Sequence, residues 1–417
     1  MVEEQRKNVI KLTGKTLVIS DIHIGLKKAN QSRLTIIAAV FKEVLSAIKK
    51  ERISNVICCG DIFHSRVAID LQALNVGLKL LKALSDRCKC YLILGNHDLY
   101  YKNNVAINSS NVFKQNKNTF VIETPTEVEL NGQKALFVPW LSDLSSFKKE
   151  SYDLMFGHFD IDGKFLIASY LEQHALTAKK SSDIVSELIE NDSILNESSG
   201  TVDLRSEIEY IKNNGIKSGN LVGDFVEYAK QFGTIYAGHI HEHKEFVAKC
   251  REFVFVGSPY QQNFGEIGSV DGFYVLDEQN KRHFHHISSV PIHVRLHMST
   301  ILKEGIDDFD FSIVKGNFVQ KIYDVDVSMD IEAKINQKIA DMMPFEEALP
   351  EYSIASAVDK TVVTSQSLEM IKKSKLDYIK NYVDKIEEKA LSEKDLDRGE
   401  LYKTLEAYYM KAMETIS

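Results

Sequence analysis

The sequence predicts an α/β fold, with a mostly parallel sheet carrying helices on its faces, and three observations predict it. Short runs rich in β-branched and large apolar residues (KTLVIS at 15–20, NVICC at 55–59, CYLIL at 90–94) have the length and composition of buried strands. The stretches between them, Leu34–Lys49 and Leu71–Leu84, repeat apolar residues at three- and four-residue spacing, the period of an amphipathic helix. Each strand-like run also ends in a polar cluster: Asp21-Ile22-His23, Gly60-Asp61, and Gly95-Asn96-His97-Asp98. In sheets built from strand–helix–strand units, ligands gather outside the carboxyl ends of the strands.

After Asn118 the pattern turns to β. TFVIE reads as a strand, and TEVELNGQKALFVPW as two strands joined at Asn131-Gly132, a dipeptide that favours a tight hairpin turn. SYDLMF is a further strand and ends in Gly157-His158. Residues 161–230 read as helical but poorly patterned. FGTIYAG, HKEFVAK and REFVFVG follow as closely spaced strands, and DGFYVLDEQNKRHFHHI as a hairpin. Beyond Pro291 a small mixed unit is expected: a strand in VQKIYDVDV, a helix near Ile331–Met343, and a short strand in YSIAS. Gln366–Leu391 and Glu393–Ile416 read as two closing helices.

Composition bounds the function. At 417 residues the chain is long enough for two or three domains. With 44% hydrophobic and 26% charged residues it can fill a core, so disorder throughout is excluded. No apolar run reaches the roughly 18 residues a membrane span requires, and the N-terminus lacks the apolar core of a secretory signal. The five cysteines form neither an even framework nor a CxxC pair, which fits a reducing cytoplasm; Cys58 and Cys59 read as buried small hydrophobes. The net charge of −8 argues against holding nucleic acid by overall charge. Any phosphate binding needs a local positive field. Residues 161–230 carry 12 acidic against 7 basic side chains, so much of the acidity lies there.

Five short motifs share one chemical character: Asp21/His23, Asp61, Asn96/His97, His158 and His239/His241. Imidazole nitrogens with carboxylate and amide oxygens suit divalent manganese, iron or zinc. A DxH or HxH supplies two ligands from one turn, because alternate residues of an extended segment point the same way. One metal needs three or four ligands; seven imply two metals, with the two-oxygen carboxylate of Asp61 as the natural bridge. A single such motif occurs by chance. Five, each at a strand end, do not fit coincidence.

In that order, DxH, GD, GNHD, GH and GHxH resemble the calcineurin-like metallophosphoesterase superfamily. Within it, GDIFHS at 60–65 and GSPYQQNFGE at 257–266 resemble the double-strand-break repair nucleases of the SbcD type, the phage recombination subunits especially. The resemblance implies a metallophosphoesterase β-sandwich flanked by helices, with a small α/β capping domain and a C-terminal helical pair. It implies three regions: a dimetal nuclease domain over 1–290, a DNA-capping domain over 291–360 and an ATPase-binding helical region over 361–417. Carried over by residue, it places Asp21, His23 and His241 on a first metal and Asn96, His158 and His239 on a second, with Asp61 bridging and manganese as the ion. His97 matches the family's catalytic histidine, with Asp98 as its orienting partner. His64 either helps seat the nucleotide or is a surface histidine beside the metals.

The activity so implied is metal-dependent exo- or endonucleolytic hydrolysis of DNA, in the cytoplasm and off the membrane, in recombination, repair or replication. The implied partners are an SbcC-type, SMC-like ATPase held by the C-terminal helices, and a second copy of the chain. The alternative within the same chemistry is a stand-alone phosphodiesterase acting on a small substrate. GDIFHSR lacks the GDxVDRG arginine of the protein phosphatases, which argues against that branch. Two features depart from the family plan. The His158–His239 gap is long, and its acidic 161–230 segment reads as a surface insertion or as a lid beside the site. The group His283, His285, His286, His293 and His297 has no family counterpart and reads as structural or solvent-facing.

Overall fold

A computed structural model describes residues 9–29, 31–143, 147, 151–159, 232–248, 251–352 and 402–403. The insertion at 161–230 and the C-terminal helices at 361–417, residues 402–403 apart, lie outside the described residues. Two compact units are present. The first takes in Met1–Leu296, Glu304–Lys321 and Met329–Leu349; the second takes in His297–Lys303, Ile322–Ser328 and the chain from Pro350.

The first unit is built on two sheets. The six-stranded sheet runs β13-β12-β2-β3-β4-β5, where β2 is Thr16–Ile19, β3 Asn55–Cys58, β4 Lys89–Ile93, β5 Thr119–Ile122, β12 Gly272–Leu276 and β13 Arg282–His286. Strands β2 to β5 are parallel, as the strand–helix alternation predicts, and the β12–β13 hairpin adds antiparallel strands at the β2 side. The seven-stranded sheet runs β1-β6-β7-β8-β9-β11-β10, with β1 Ile10–Leu12, β6 Thr126–Leu130, β7 Gln133–Val138, β8 Tyr152–His158, β9 Phe232–Gly238, β10 Lys244–Ala248 and β11 Arg251–Phe255. Its β6–β7 hairpin turns at Asn131-Gly132, both at positive φ, as the Asn-Gly pair requires. The three-residue β1 is too short to leave a periodic signal.

Side-chain alternation divides the core into layers. Val18, Ile57, Tyr91, Ile93, Tyr274 and Leu276 meet Leu130, Phe137, Leu154, Phe156 and Tyr236 between the two sheets. Their neighbours Leu17, Ile19, Val56, Cys58, Cys90, Leu92, Phe273 and Val275 face the other way, toward the helices. This period of two is why the strands read as continuous apolar runs: both faces are buried. Truncating an interior ring such as Phe137 to Ala would cost about 3–5 kcal/mol.

The helices close the outer face of the six-stranded sheet. Helix α2, Gln31–Glu51, follows the short α1, Leu26–Ala29, and buries Leu34, Ile37, Phe41, Val44 and Ile48 on one stripe. Helix α3, Leu71–Ser85, starts at Asp70, whose carboxylate accepts from Gln72 N at 2.7 Å and satisfies a free first-turn amide. Gly77 lets α3 approach the loop after β3, since a Cβ there would lie 2.7 Å from the Phe63 ring. Phe63 stacks on Phe113, so the loop after β3, the helix α3 and the 109–113 turn form one packed corner.

Beyond Pro291 the strand in VQKIYDVDV and the helix near Ile331–Met343 are present, while the expected YSIAS strand lies outside the described residues apart from Tyr352. The elements there are β14 His293–His297, α4 Met298–Glu304, β15 Phe318–Tyr323, α5 Met329–Asp341, β16 Glu346–Glu347 and β17 Glu351–Tyr352. Within the second unit, Asp324 accepts from Ser299 N and Oγ and pairs with His297 at 3.1 Å, while Tyr323 stacks on Tyr352.

Candidate metal centre

The polar clusters come together where the parallel strands of the two sheets end. Asp21 and His23 follow β2, Asp61 follows β3, Asn96 follows β4, His158 closes β8, and His239 and His241 follow β9. Asp21, His23, Asp61 and His239 all sit at positive φ, between 48° and 91°. L-residues avoid that region, and such strain persists only where surrounding contacts over-determine it. Here they do: Asp21 N donates to Gly60 O, His23 N to Asp61 O and His239 N to Asp21 Oδ2 at 3.0 Å. Gly60, itself at φ 99°, has no room for a side chain, because a Cβ would lie 2.3 Å from His158 Nδ1.

Asp61 lies at the middle. Its Oδ2 is 3.5 Å from His23 Nε2 and 3.5 Å from His158 Nε2, while its Oδ1 accepts from His97 N at 2.8 Å. On one side, His23 Nε2 and His241 Nε2 each lie 3.8 Å from Asp21 Oδ1. On the other, the Asn96 side-chain oxygen lies 2.9 Å from His158 Nε2 and 3.1 Å from His239 Nδ1. Turned the other way, the Asn96 amide oxygen accepts from Arg66 Nη2 at 2.9 Å and its nitrogen donates to His158, His239 and Asp61 Oδ2.

The electrostatics suit cations. Burial, then the charges of Asp21 and Asp98, hold the Asp61 carboxyl well above the usual carboxylate range, against the His97 amide and Arg66. Burial likewise depresses His23, His158 and His239, the last to about 3, so these rings stand neutral with lone pairs available. The His23 Nε2 atom is buried with no hydrogen-bond partner. Crowded buried carboxylates facing neutral imidazoles, one of them orphaned, are what a divalent cation satisfies and what an empty protein interior penalises. The residues fit the divalent metals that the ligand types imply.

Four supports escaped the sequence reading. His158 Nδ1–H donates to the Cys59 carbonyl at 2.7 Å, which turns Nε2 toward the centre. His241 Nδ1–H donates to Glu266 Oε1 at 2.9 Å; burial works to lower this histidine, but the Glu266 hydrogen bond and the Asp21 charge outweigh it, and the pKa rises. Trp140, the chain's one tryptophan, has its ring 5.1 Å from His239 and 5.7 Å from His158. Ser258 and Gln262 both donate to the Asp21 carbonyl, holding the strained turn from behind. The segment GSPYQQNFGE pointed to this region without assigning these contacts.

One expected role is corrected. Asp98 does not orient the His97 ring. Its carboxylate accepts from Asp61 N, Ile62 N, Gly95 N and Ser109 Oγ at 2.9–3.2 Å, so it fixes the backbone that carries Asp61. Burial raises its pKa to about 6, against those same hydrogen bonds. The His97 ring is oriented by the His64 carbonyl, which accepts from Nδ1–H at 2.5 Å. His64 stacks beside His97 with centroids 5.4 Å apart, and its Nδ1 lies 3.3 Å from His23 Nδ1, so this half-buried ring is part of the cluster.

The calcineurin-like phosphoesterase family matches residues 14–243, a span that takes in every residue of the cluster named above except those of 257–266. Exonuclease subunit 1 of Enterobacteria phage T4 is 22% identical over 408 residues, covering 96% of this chain and all of the phage protein. A solved structure, described as a novel archaeal phosphodiesterase, aligns with 66% of this chain and 99% of its own at 12% identity, with a TM-score of 0.30.

Proposed function

We propose that this chain, which belongs to the calcineurin-like phosphoesterase family, is the nuclease subunit of a DNA-processing complex and cleaves phosphodiesters at a two-metal centre. The position of Asp61 carries the reading. One carboxylate oxygen stands equally far from a histidine of each ligand group, as a bridge between two ions must. Asp21, His23 and His241 would hold one ion, and Asn96, His158 and His239 the other. Two such cations, manganese on the resemblance, would offset phosphate charge and make a water acidic enough to ionise near neutral pH.

The protein's own groups do the rest. His97 has Nδ1 committed to the His64 carbonyl, which leaves Nε2 to give a proton to the departing sugar oxygen. His64 and Arg66, on the loop after β3, flank that face of the cluster and can order a bound nucleotide. The net charge of −8 ceases to be an obstacle, because the ions supply the positive field locally.

The match to a phage exonuclease subunit along nearly the whole chain favours a nuclease over a small-substrate phosphodiesterase. The word subunit in that protein's name supports a partner, which we take to be an SMC-like ATPase bound through 361–417, with 291–360 as the DNA cap. Leu71 and Leu78 lie seven residues apart along α3 and are exposed apolar side chains, a surface suited to pairing two copies. The test is manganese-dependent cleavage of end-labelled linear and hairpin DNA. His97→Ala should slow cleavage by about 10²–10⁴ while sparing metal binding. Turnover of bis-p-nitrophenyl phosphate by the wild type, with no DNA cleavage in the presence of the ATPase, would return the small-substrate reading.

A further inference from the structure

Beyond His97 the chain does not return to the core at once. Tyr100 and Tyr101 stand on an exposed loop, each 44% accessible, with their rings edge to face at 4.9 Å. Aromatic rings of this size are normally buried, and two adjacent ones left in solvent need an explanation. The loop is not slack. Leu99 bridges Asn108, Tyr100 N donates to Ile107 O at 3.0 Å, and Asn108 Nδ2 donates to the Val105 carbonyl. At its base Ser109 donates to Asp98 through both N and Oγ, and Asp98 in turn holds Asp61. The tyrosines therefore ride on the same framework as the metal ligands. Three peptide units separate Tyr100 from His97, which limits their Cα atoms to about 11 Å.

A second, independent observation is charge. From Leu99 to Ile122 the sequence has no Asp or Glu, although the chain has 59 of them, and it carries Lys102, Lys114 and Lys117 with six asparagines. Lys102, Asn103 and Asn104 are exposed at the loop tip. Glu123, just beyond this stretch, pairs with Lys114 at 2.9 Å and accepts from Asn108, so the acid-free surface is the loop tip. There the paired aromatic faces, the amides and Lys102, beside a phosphodiester centre, match a polyanion whose units also have π-faces.

We propose that Tyr100 and Tyr101 form a stacking platform for the bases of an unpaired DNA end, holding the strand as its backbone enters the centre. The inference rests on the nuclease reading and deepens it. Bases inside a duplex are already stacked, so a platform of this kind selects frayed or single-stranded ends, and it is tolerant of sequence because every base offers a face.

The test uses the full-length chain with its ATPase and compares wild type, the Tyr100→Ala/Tyr101→Ala double variant and the Tyr100→Phe/Tyr101→Phe double variant. Substrates are an oligonucleotide with an unpaired end, the same strand with abasic sites at that end, and bis-p-nitrophenyl phosphate, which has no bases. The Ala variant should lose about 10–100-fold in kcat/KM on the intact end, lose the preference for intact over abasic ends, and stay within about twofold of wild type on the small ester. The Phe variant should behave as wild type. An Ala variant that keeps the base preference, or that falls equally on the small ester, overturns the platform. So does one whose sedimentation changes while DNA cleavage does not, since the loop would then be a protein contact. A wild type that never cleaves DNA sinks the nuclease reading itself, before any tyrosine is changed.

Discussion

The two sides of the centre are built from different materials. The side of Asp21, His23 and His241 is acidic: Asp21 faces both histidines, Glu266 backs His241, and His241 remains partly open to solvent. The side of Asn96, His158 and His239 has no carboxylate of its own. His158 is fully buried and His239 partly so, burial holds both neutral, and the supports are a backbone carbonyl and the Trp140 ring. Asp61 stands between both, and Asp21, although it faces His23 and His241, also accepts from the His239 amide and lies near His158. On the two-ion reading proposed above, such a centre should not bind both cations equally. An extra carboxylate within a few ångströms favours a dication by enough to separate the affinities by at least about tenfold, even at high effective dielectric. The acidic side should fill first, and the Asn96 side second.

Removing what the two sides share is the largest perturbation. Asp61→Ala should abolish hydrolysis of DNA and of bis-p-nitrophenyl phosphate alike, and lower the bound manganese measured after equilibrium dialysis. Retention of two tightly held ions would show that Asp61 does not bridge. The single tryptophan gives a readout that needs no activity. Because the Trp140 ring lies 5.1 Å from His239 and 5.7 Å from His158, the histidines assigned to the second ion, manganese should quench its fluorescence mainly in the weaker of two steps. One-step quenching at the tight midpoint would break the comparison.

Next in size is Asp98, which serves neither side as a ligand. Asp98→Ala strips acceptors from three backbone amides that lie buried beneath the centre, Asp61 N, Ile62 N and Gly95 N. At about 1–3 kcal/mol for a buried donor left unpaired, a loss of about 3 kcal/mol or more in unfolding free energy is expected. His97→Ala, by contrast, should leave thermal stability nearly unchanged. Equal melting of the two variants would restore a direct partnership between Asp98 and His97.

This pair also shows what the sequence could and could not reveal. The strand ends, and the Asp, Asn and His residues on them, were legible because each combines a local pattern with an uncommon residue type. The partner of His97 was not: the family resemblance implied Asp98, whereas the ring bonds to the His64 carbonyl, and a main-chain acceptor leaves no mark in the sequence. Glu266, Ser258 and Gln262 act on Asp21 and His241 from 25 to 241 positions away, and acids and amides of their kind are common on any surface. Among the strands, those with two buried faces announced themselves, while three-residue β1 did not.

Glu266→Gln separates the sides more finely. Losing a carboxylate behind a metal-binding histidine typically costs 10–100-fold in metal affinity. The cost here should fall on the tight step, with the Trp140 quenching midpoint moving much less. If both midpoints shift together, the two sides are coupled more tightly than their separate supports suggest.

The smallest effect lies away from the centre and tests whether its buried histidines are special. His293 is also buried, between Phe264 and Phe318, with Arg33 of α2 at 3.4 Å, and burial followed by the Arg33 and Lys27 charges lowers it to about 3. Among the described residues no carboxylate pairs with it, which sets it apart from the cluster. Its folded pKa lies below its unfolded value of about 6.5, so the unfolded chain takes up a proton first as the pH falls. The stability it contributes is complete above pH 6.5 and drains away below it. Between pH 7 and pH 5 that loss is on the order of 1 kcal/mol, and His293→Gln should flatten that part of the melting-temperature profile without changing manganese binding. A flat wild-type profile would mean that His293 keeps its proton in the fold, and that burial alone does not hold histidines neutral in this protein.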